Sequence, residues 1–466
     1  MRKLLLATTA VVGASIGMAG FAAAQTPYPL DGTIVSPRNA GHASTYGNNN
    51  YLNGEQGKGP VANPTPGTMV VHLGFLVLSE AAASWSSADS AVPNQKVSPI
   101  GFETYVRIYP GVDAMAANGL RYGAAVELRQ NFFTGASSET GSSGGTTMST
   151  AQTVFVRREF VYVAAEKLGV IRFGETDGVI GTFDEGGATT GVFLSPSGTI
   201  VGGDLQGTTV GGWMAPYFGA QSGNEYATEK LFYDSPSFFG FDIAAEYAPQ
   251  AFNEFGISNT QPGLASYASV ANGGFVRISS SSADYASSLQ KNIYAIGLRY
   301  SGHVGPASVL AYGVYMGSGH VNDTSALSAG HIRFKDLSLG MFGANVGFAG
   351  FQVFGNVMVG NFNGVLGLQP EGAPNATGLG AGVKYAFGPW TVGGVYSQYD
   401  SQGSIAYVGL GQNHSSVAYL AATYSAAPGL TFYADYGYGQ TYQGGGAPGT
   451  GHGQTQAFLL GTAVSW

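Results

Sequence analysis

Hydrophobic and polar positions alternate along most of this chain. Across residues 119–132, Leu120, Tyr122, Ala124, Val126 and Leu128 share one parity, and Arg121, Gly123, Ala125, Glu127 and Arg129 share the other. A period of two puts such sets on opposite faces of a β-strand. The preceding stretch repeats the pattern, with Phe102, Thr104, Val106 and Ile108 against Glu103, Tyr105, Arg107 and Tyr109, and a connection is expected from Pro110 to Asn118. Comparable segments lie near 68–83, 153–168, 169–176, 229–236, 240–249, 291–304, 307–320, 335–349, 351–362, 377–388, 390–401, 414–427, 430–442 and 455–466, about sixteen strands in all.

Strands of ~10 residues with one apolar face suit a tilted crossing of an outer membrane, and closing the sheet leaves no unpaired edge in lipid. The connections alternate in length. Gly350-Phe351, Gly388-Pro389 and Pro428-Gly429 suit short periplasmic turns, whereas 251–289, 321–334 and 402–413 suit external loops. The expected fold is therefore all-β, a transmembrane antiparallel β-barrel of about 16 strands over 68–466. At the chain end Phe458, Leu460, Val464 and Trp466 share a parity, and an aromatic last residue suits recognition by the outer-membrane assembly machinery.

The N-terminus adds a compartment. Arg2 and Lys3 precede an apolar run from Leu4 to Val12, and Ala22-Ala23-Ala24 supplies a cleavage site before Gln25. That is the secretory signal pattern, so 1–24 is read as a signal peptide, with a retained anchor as the alternative. Residues 25–67, rich in Gly, Pro and Asn, read as an irregular segment, either a tether or a plug.

Composition narrows the function. Only 10% of the 466 residues are charged, there are 74 glycines and 27 tyrosines, and 19 Lys+Arg stand against 27 Asp+Glu. Phosphate binding needs a concentrated basic surface, so nucleic acid is not an expected partner. Seven scattered histidines and no cysteine give no metal-ligand spacing, and no metal or cofactor is expected. Glycine strings such as Gly186-Gly187 lack the strand-to-helix setting of a phosphate loop. Gly191-Val192-Phe193-Leu194-Ser195 is no nucleophile elbow, so no catalytic residue is assigned and the chain is not read as an enzyme. Tyr109, Tyr122, Tyr300, Tyr424 and Tyr438, at strand ends, are read mostly as interfacial girdles, with sugar stacking open if several line the lumen.

The run from Tyr162-Val163 through Leu168-Gly169 and Arg172-Phe173-Gly174 to Asp177-Gly178, continuing to Gly181-Thr182-Phe183-Asp184, resembles the Gram-negative general porins, especially those of alphaproteobacteria. Two positions depart from that family. Glu175 stands where an arginine is common, and the Pro-Glu-Phe-Gly-Gly-Asp loop sequence of enteric members is missing, so ion preference does not carry over. The resemblance implies a long inward-folded third loop, here about 177–228, that narrows the pore. It implies a homotrimer in the cell outer membrane, surrounded by lipid and lipopolysaccharide, passing small hydrophilic solutes and ions. A substrate-selective porin for sugars or small organic acids is the alternative; an outer-membrane hydrolase and a soluble β-protein are more distant ones.

By that analogy the constriction has a basic side, Arg107, Arg121, Arg129, Arg157 and Arg172, facing an acidic loop with Asp177, Asp184, Glu185 and Asp204. The competing reading pairs each arginine with a wall carboxylate such as Glu103 or Glu127. In 155–163, Phe160 and Tyr162 suggest that even positions face lipid, which puts Arg157 and Glu159 in the lumen and Arg158 on the wrong side. A basic residue at the bilayer midplane costs about 2–4 kcal/mol. Arg158 is therefore expected near an interface, or beside a bulge that shifts the register.

Overall fold

The computed structural model describes residues 64–87, 99–130, 154–165, 167–183, 229–250, 291–320, 334–362, 369–402, 412–443 and 451–465. Sixteen strands follow one another. The first eight are β1 (Thr68–Ser86), β2 (Ile100–Met115), β3 (Arg121–Gln130), β4 (Val154–Ala165), β5 (Gly169–Glu175), β6 (Glu229–Asp234), β7 (Phe241–Gln250) and β8 (Lys291–Val304). The second eight are β9 (Ala307–Gly317), β10 (Ser338–Phe348), β11 (Phe351–Asn361), β12 (Ala376–Phe387), β13 (Trp390–Gln402), β14 (Gln412–Ala427), β15 (Leu430–Gln443) and β16 (Gly451–Ser465). Each pairs antiparallel with its sequence neighbours, and β1 pairs β16 from Leu76↔Ser465 to Ser86↔Thr455. That last ladder closes the barrel and satisfies the backbone groups that two free edges would leave unpaired.

The barrel reverses the layout of a water-soluble domain. Outward Leu298, Phe342, Val353 and Leu420 are exposed, while inward Arg172, Lys230, Asp242 and Arg299 are buried. Period-two alternation produces this directly, because every second side chain meets the bilayer and the others meet the lumen. Rings gather beside the short turns: Phe351 stacks on Tyr385 at 4.2 Å between centroids, and Trp390 lies 4.7 Å from Tyr424. Phe241 and Tyr300 pair in the same way. Aromatic rings suit a membrane–water boundary and short turns suit the periplasmic side of such a barrel, so this end is read as the periplasmic rim.

Two local expectations change. Pro110 does not end a strand; β2 runs to Met115, with Pro110 opposite Leu73 on β1. Proline brings no N–H, and the ladder to β3 is interrupted between Ile108↔Leu128 and Gly111↔Ala125, which lets the strand continue. Tyr109, considered for the girdle, faces inward and is buried.

Some of the glycine serves close packing on the inner wall. The Tyr162 ring lies flat over Gly123 on β3, where a Cβ would come 2.6 Å from its Cε1 and hydroxyl oxygen. Tyr433 covers Gly461 on β16 likewise. Glycine opposite the ring keeps a bulky side chain close to the wall. Gly461→Val is expected to cost about 1–3 kcal/mol from overpacking, measured as a lower urea midpoint for unfolding from detergent micelles.

Candidate functional site: the charged inner wall and the root of the long loop

The polar side chains that matter lie on β2–β8, and one irregularity decides which way some of them point. In the β3–β4 ladder Glu127 pairs with Arg158 but Leu128 pairs with Val156, so Arg157 is an extra residue, a β-bulge. Before the bulge Val154 and Val156 face outward; after it Val161 and Val163 do. The inward set after the bulge is therefore Arg158, Phe160, Tyr162 and Ala164, all buried. This corrects the reading of Phe160 and Tyr162 as lipid-facing. The one-residue insertion flips the parity and removes the expected penalty on Arg158.

Arg158 bridges two carboxylates: Nη1 donates to Glu127 Oε2 at 2.7 Å and Nη2 to Asp177 Oδ1 at 2.8 Å. Glu127 belongs to β3, whereas Asp177 is the second residue of the connection after β5. The bridge ties the start of that connection to the wall. Beyond it a five-residue helix, α1 (Val179–Phe183), is entirely buried and packs on β7, β8 and β9. Val179 N–H donates to Glu246 Oε2 at 2.5 Å, Lys230 Nζ donates to the Thr176 carbonyl at 2.7 Å, and Arg172 Nη2 donates to Thr182 Oγ1 at 3.2 Å. Two backbone groups of the root are thus met by charged side chains from β6 and β7, and the Thr182 hydroxyl by one from β5, as buried polar groups require.

Arg299 on β8 completes the anchor. Its Nε and Nη2 meet Asp242 Oδ1 and Oδ2 at 2.9 and 2.6 Å, a two-point pair that fixes the guanidinium plane. Nη1 reaches the Thr182 carbonyl at 3.4 Å, and the guanidinium carbon lies 4.4 Å from the Phe183 ring centroid. Arg172 sits similarly over Phe232, at 3.8 Å. Beneath α1 the wall residue is Gly297, where a Cβ would come 2.7 Å from Phe183 Cε2 and 2.8 Å from Val179 Cγ1. Absence of a side chain there gives the helix its seat.

A second cluster lies on β1–β4. Tyr162 donates its hydroxyl proton to Asp113, and His72 Nε2 is 3.4 Å from the other oxygen of that carboxylate. The His72 ring lies over Gly111, as Tyr162 lies over Gly123.

Of the arginines proposed from sequence, Arg107, Arg121 and Arg172 project inward from β2, β3 and β5. Arg129 takes an inward register position opposite Arg107, and Arg157 is the bulged residue; the side chains of both lie outside the described residues. Asp177 faces the lumen but is engaged by Arg158. Asp184, Glu185 and Asp204 lie outside the described residues. Arg158, Lys230, Asp242, Glu246 and Arg299 were missed. A signal existed, since Lys230/Asp234 and Asp242/Glu246 fall on the parity opposite Leu231/Tyr233 and Ile243/Tyr247. What these side chains provide is a set of fixed charges and a braced loop root inside a channel wall.

Comparison with known proteins agrees with this architecture. A family model described as Gram-negative porin matches residues 7–443. The outer membrane channel DcaP of Acinetobacter baumannii superposes with a TM-score of 0.51 at 11% identity, covering 86% of this chain and 99% of that one. OmpF of Salmonella typhi, solved in complex with daunomycin, gives a TM-score of 0.50 at 14% identity, covering 85% of this chain and 97% of its own. At such identities the superpositions speak for the fold alone. No curated protein matches the chain. The family match spans most of the sequence, and the chain belongs to the Gram-negative porins, outer-membrane barrels that form channels for passive diffusion of small hydrophilic solutes.

Proposed function

We propose that selectivity is set at a constriction in which the basic wall, Arg107, Arg121, Arg129, Arg157 and Arg172, faces carboxylates of the long loop, Asp184, Glu185 and Asp204. Arg158 joins the basic wall in this reading, and Asp177 acts at the loop root as the carboxylate that Arg158 holds. The observation that supports the proposal is the buried course of residues 176–183 along the inner wall, at the root of the connection that follows β5. A sixteen-strand barrel leaves a wide aqueous channel, so an inserted loop supplies the size limit. Opposed charges across the narrowing produce a transverse field that orients dipolar solutes and separates anion from cation paths.

The channel works by diffusion, with no bond made or broken. It acts as a homotrimer of the alphaproteobacterial type, set among lipid and lipopolysaccharide, with one pore in each protomer. Residues 1–24 are removed on export, so the mature protein is expected to begin at Gln25, and terminal peptide mass spectrometry of outer-membrane material checks this. Neutralising Arg107, Arg121 and Arg129 together is expected to shift the reversal potential under a salt gradient toward cations. Unchanged conductance and reversal potential in that triple variant would overturn the assignment.

A further inference from the structure

The two halves of the inner wall differ in charge. On β2–β8 cations and carboxylates stand in contact, as Arg158 does with Glu127 and Asp177, and Arg299 with Asp242. Their fields largely cancel within a few ångströms. On β9–β16 the inward positions are mostly apolar, hydroxyl-bearing or glycine; Lys384 is the one lysine or arginine in those eight strands, and the buried carboxylate of Asp435 lies three strands away from it on β15.

Lys384 occupies an inward position of β12, between Gln352 on β11 and Gly393 on β13, and is half-buried. Among the described residues its ammonium takes part in no hydrogen bond or ion pair. It lies near the short Gly388–Pro389 turn, next to the stacked Phe351–Tyr385 pair, and so at the periplasmic mouth. An ionisable side chain at membrane depth that faces the cavity marks a solute or ion path.

We propose that Lys384 is a specificity-determining residue of this channel: it draws small carboxylate anions to the periplasmic mouth, with the carboxylate meeting the ammonium. The inference rests on the porin reading and deepens it by naming a solute class. A lone ammonium acts over about a Debye length, ~10 Å at moderate salt, a distance at which matched pairs have no net effect. Lysine suits the role, being a compact charge with three donors on a flexible stem.

The test uses the full chain and Lys384→Gln, Lys384→Glu and Lys384→Arg in planar bilayers under a potassium chloride gradient, with benzoate as the organic probe. Folding of each variant is checked by its heat-modifiable gel mobility. Lys384→Gln is expected to shift the chloride-to-potassium permeability ratio toward potassium by about two-fold, and Lys384→Glu further, with Lys384→Arg close to the parent. Benzoate should reduce the chloride current of the parent more than that of Lys384→Gln. Folded Gln and Glu variants that keep the parent's permeability ratio and benzoate response would overturn the proposal. A parent that conducts no ions would instead count against the porin reading.

Discussion

Arg158→Gln is expected to destabilise the barrel by about 3–5 kcal/mol, because it leaves the carboxylates of Glu127 and Asp177 buried without their shared cation. The cost arises more from two buried carboxylates losing their shared cation than from the lost attraction itself, since removing one member of a buried pair is worse than never having built it. Urea unfolding from detergent micelles measures the loss. The same change detaches Asp177 from β3 and β4, so single-channel records should show higher and noisier conductance. Asp177→Asn separates the two effects: Arg158 keeps Glu127, stability falls less, by about 1–3 kcal/mol, and the loop root is still loosened. Parent-like conductance and noise in both folded variants would mean that the bridge braces the wall without governing the loop.

Leu298→Arg is expected to cost about 2–4 kcal/mol, for a different reason. Leu298 lies in the middle of β8 with its side chain outward and about half exposed, so the guanidinium would enter hydrocarbon. One residue on, Arg299 is 1% exposed and is held by Asp242 and the Thr182 carbonyl. The adjacent positions therefore reverse the usual rule that charge belongs on the outside. Folded yield in lipid vesicles measures the effect, with Leu298→Phe as a control expected to fold as the parent does. Equal yields for Leu298→Arg and the control would contradict the assigned parity of β8.

The strands were legible because membrane barrels write burial as strict alternation. Tyr122, Val126 and Leu128 declared one face of β3, and the same rule put Arg107, Arg121 and Arg172 on the polar parity. What alternation does not encode is an insertion. The bulge at Arg157 adds one residue with no signature in hydropathy, and Phe160 and Tyr162 beyond it look lipid-facing because aromatic rings usually are. Their inward position depends on partners, such as Gly123 under Tyr162, that belong to another strand. The loop root was hidden for a related reason. Asp177 and Thr182 are contacted by Arg158, Arg172 and Arg299 from three strands, and only the closed barrel brings them together.

Scarcity of charge also takes on a spatial meaning. Few charged residues are spread along the chain, but in the barrel they gather on one half of the wall, where most are matched, while Lys384 stands opposite without a partner among the described residues. Matched groups brace the root of the long connection, and the charge of Lys384 is left to act on what passes.

The central claim is that this barrel is an open diffusion channel whose wall charges bias the ions it passes. Adding purified, folded protein to a planar bilayer under a potassium chloride gradient tests it most directly. The account predicts discrete conductance steps, current proportional to voltage at low voltage, and a reversal potential displaced from zero. A folded barrel that inserts without giving conductance steps would contradict it.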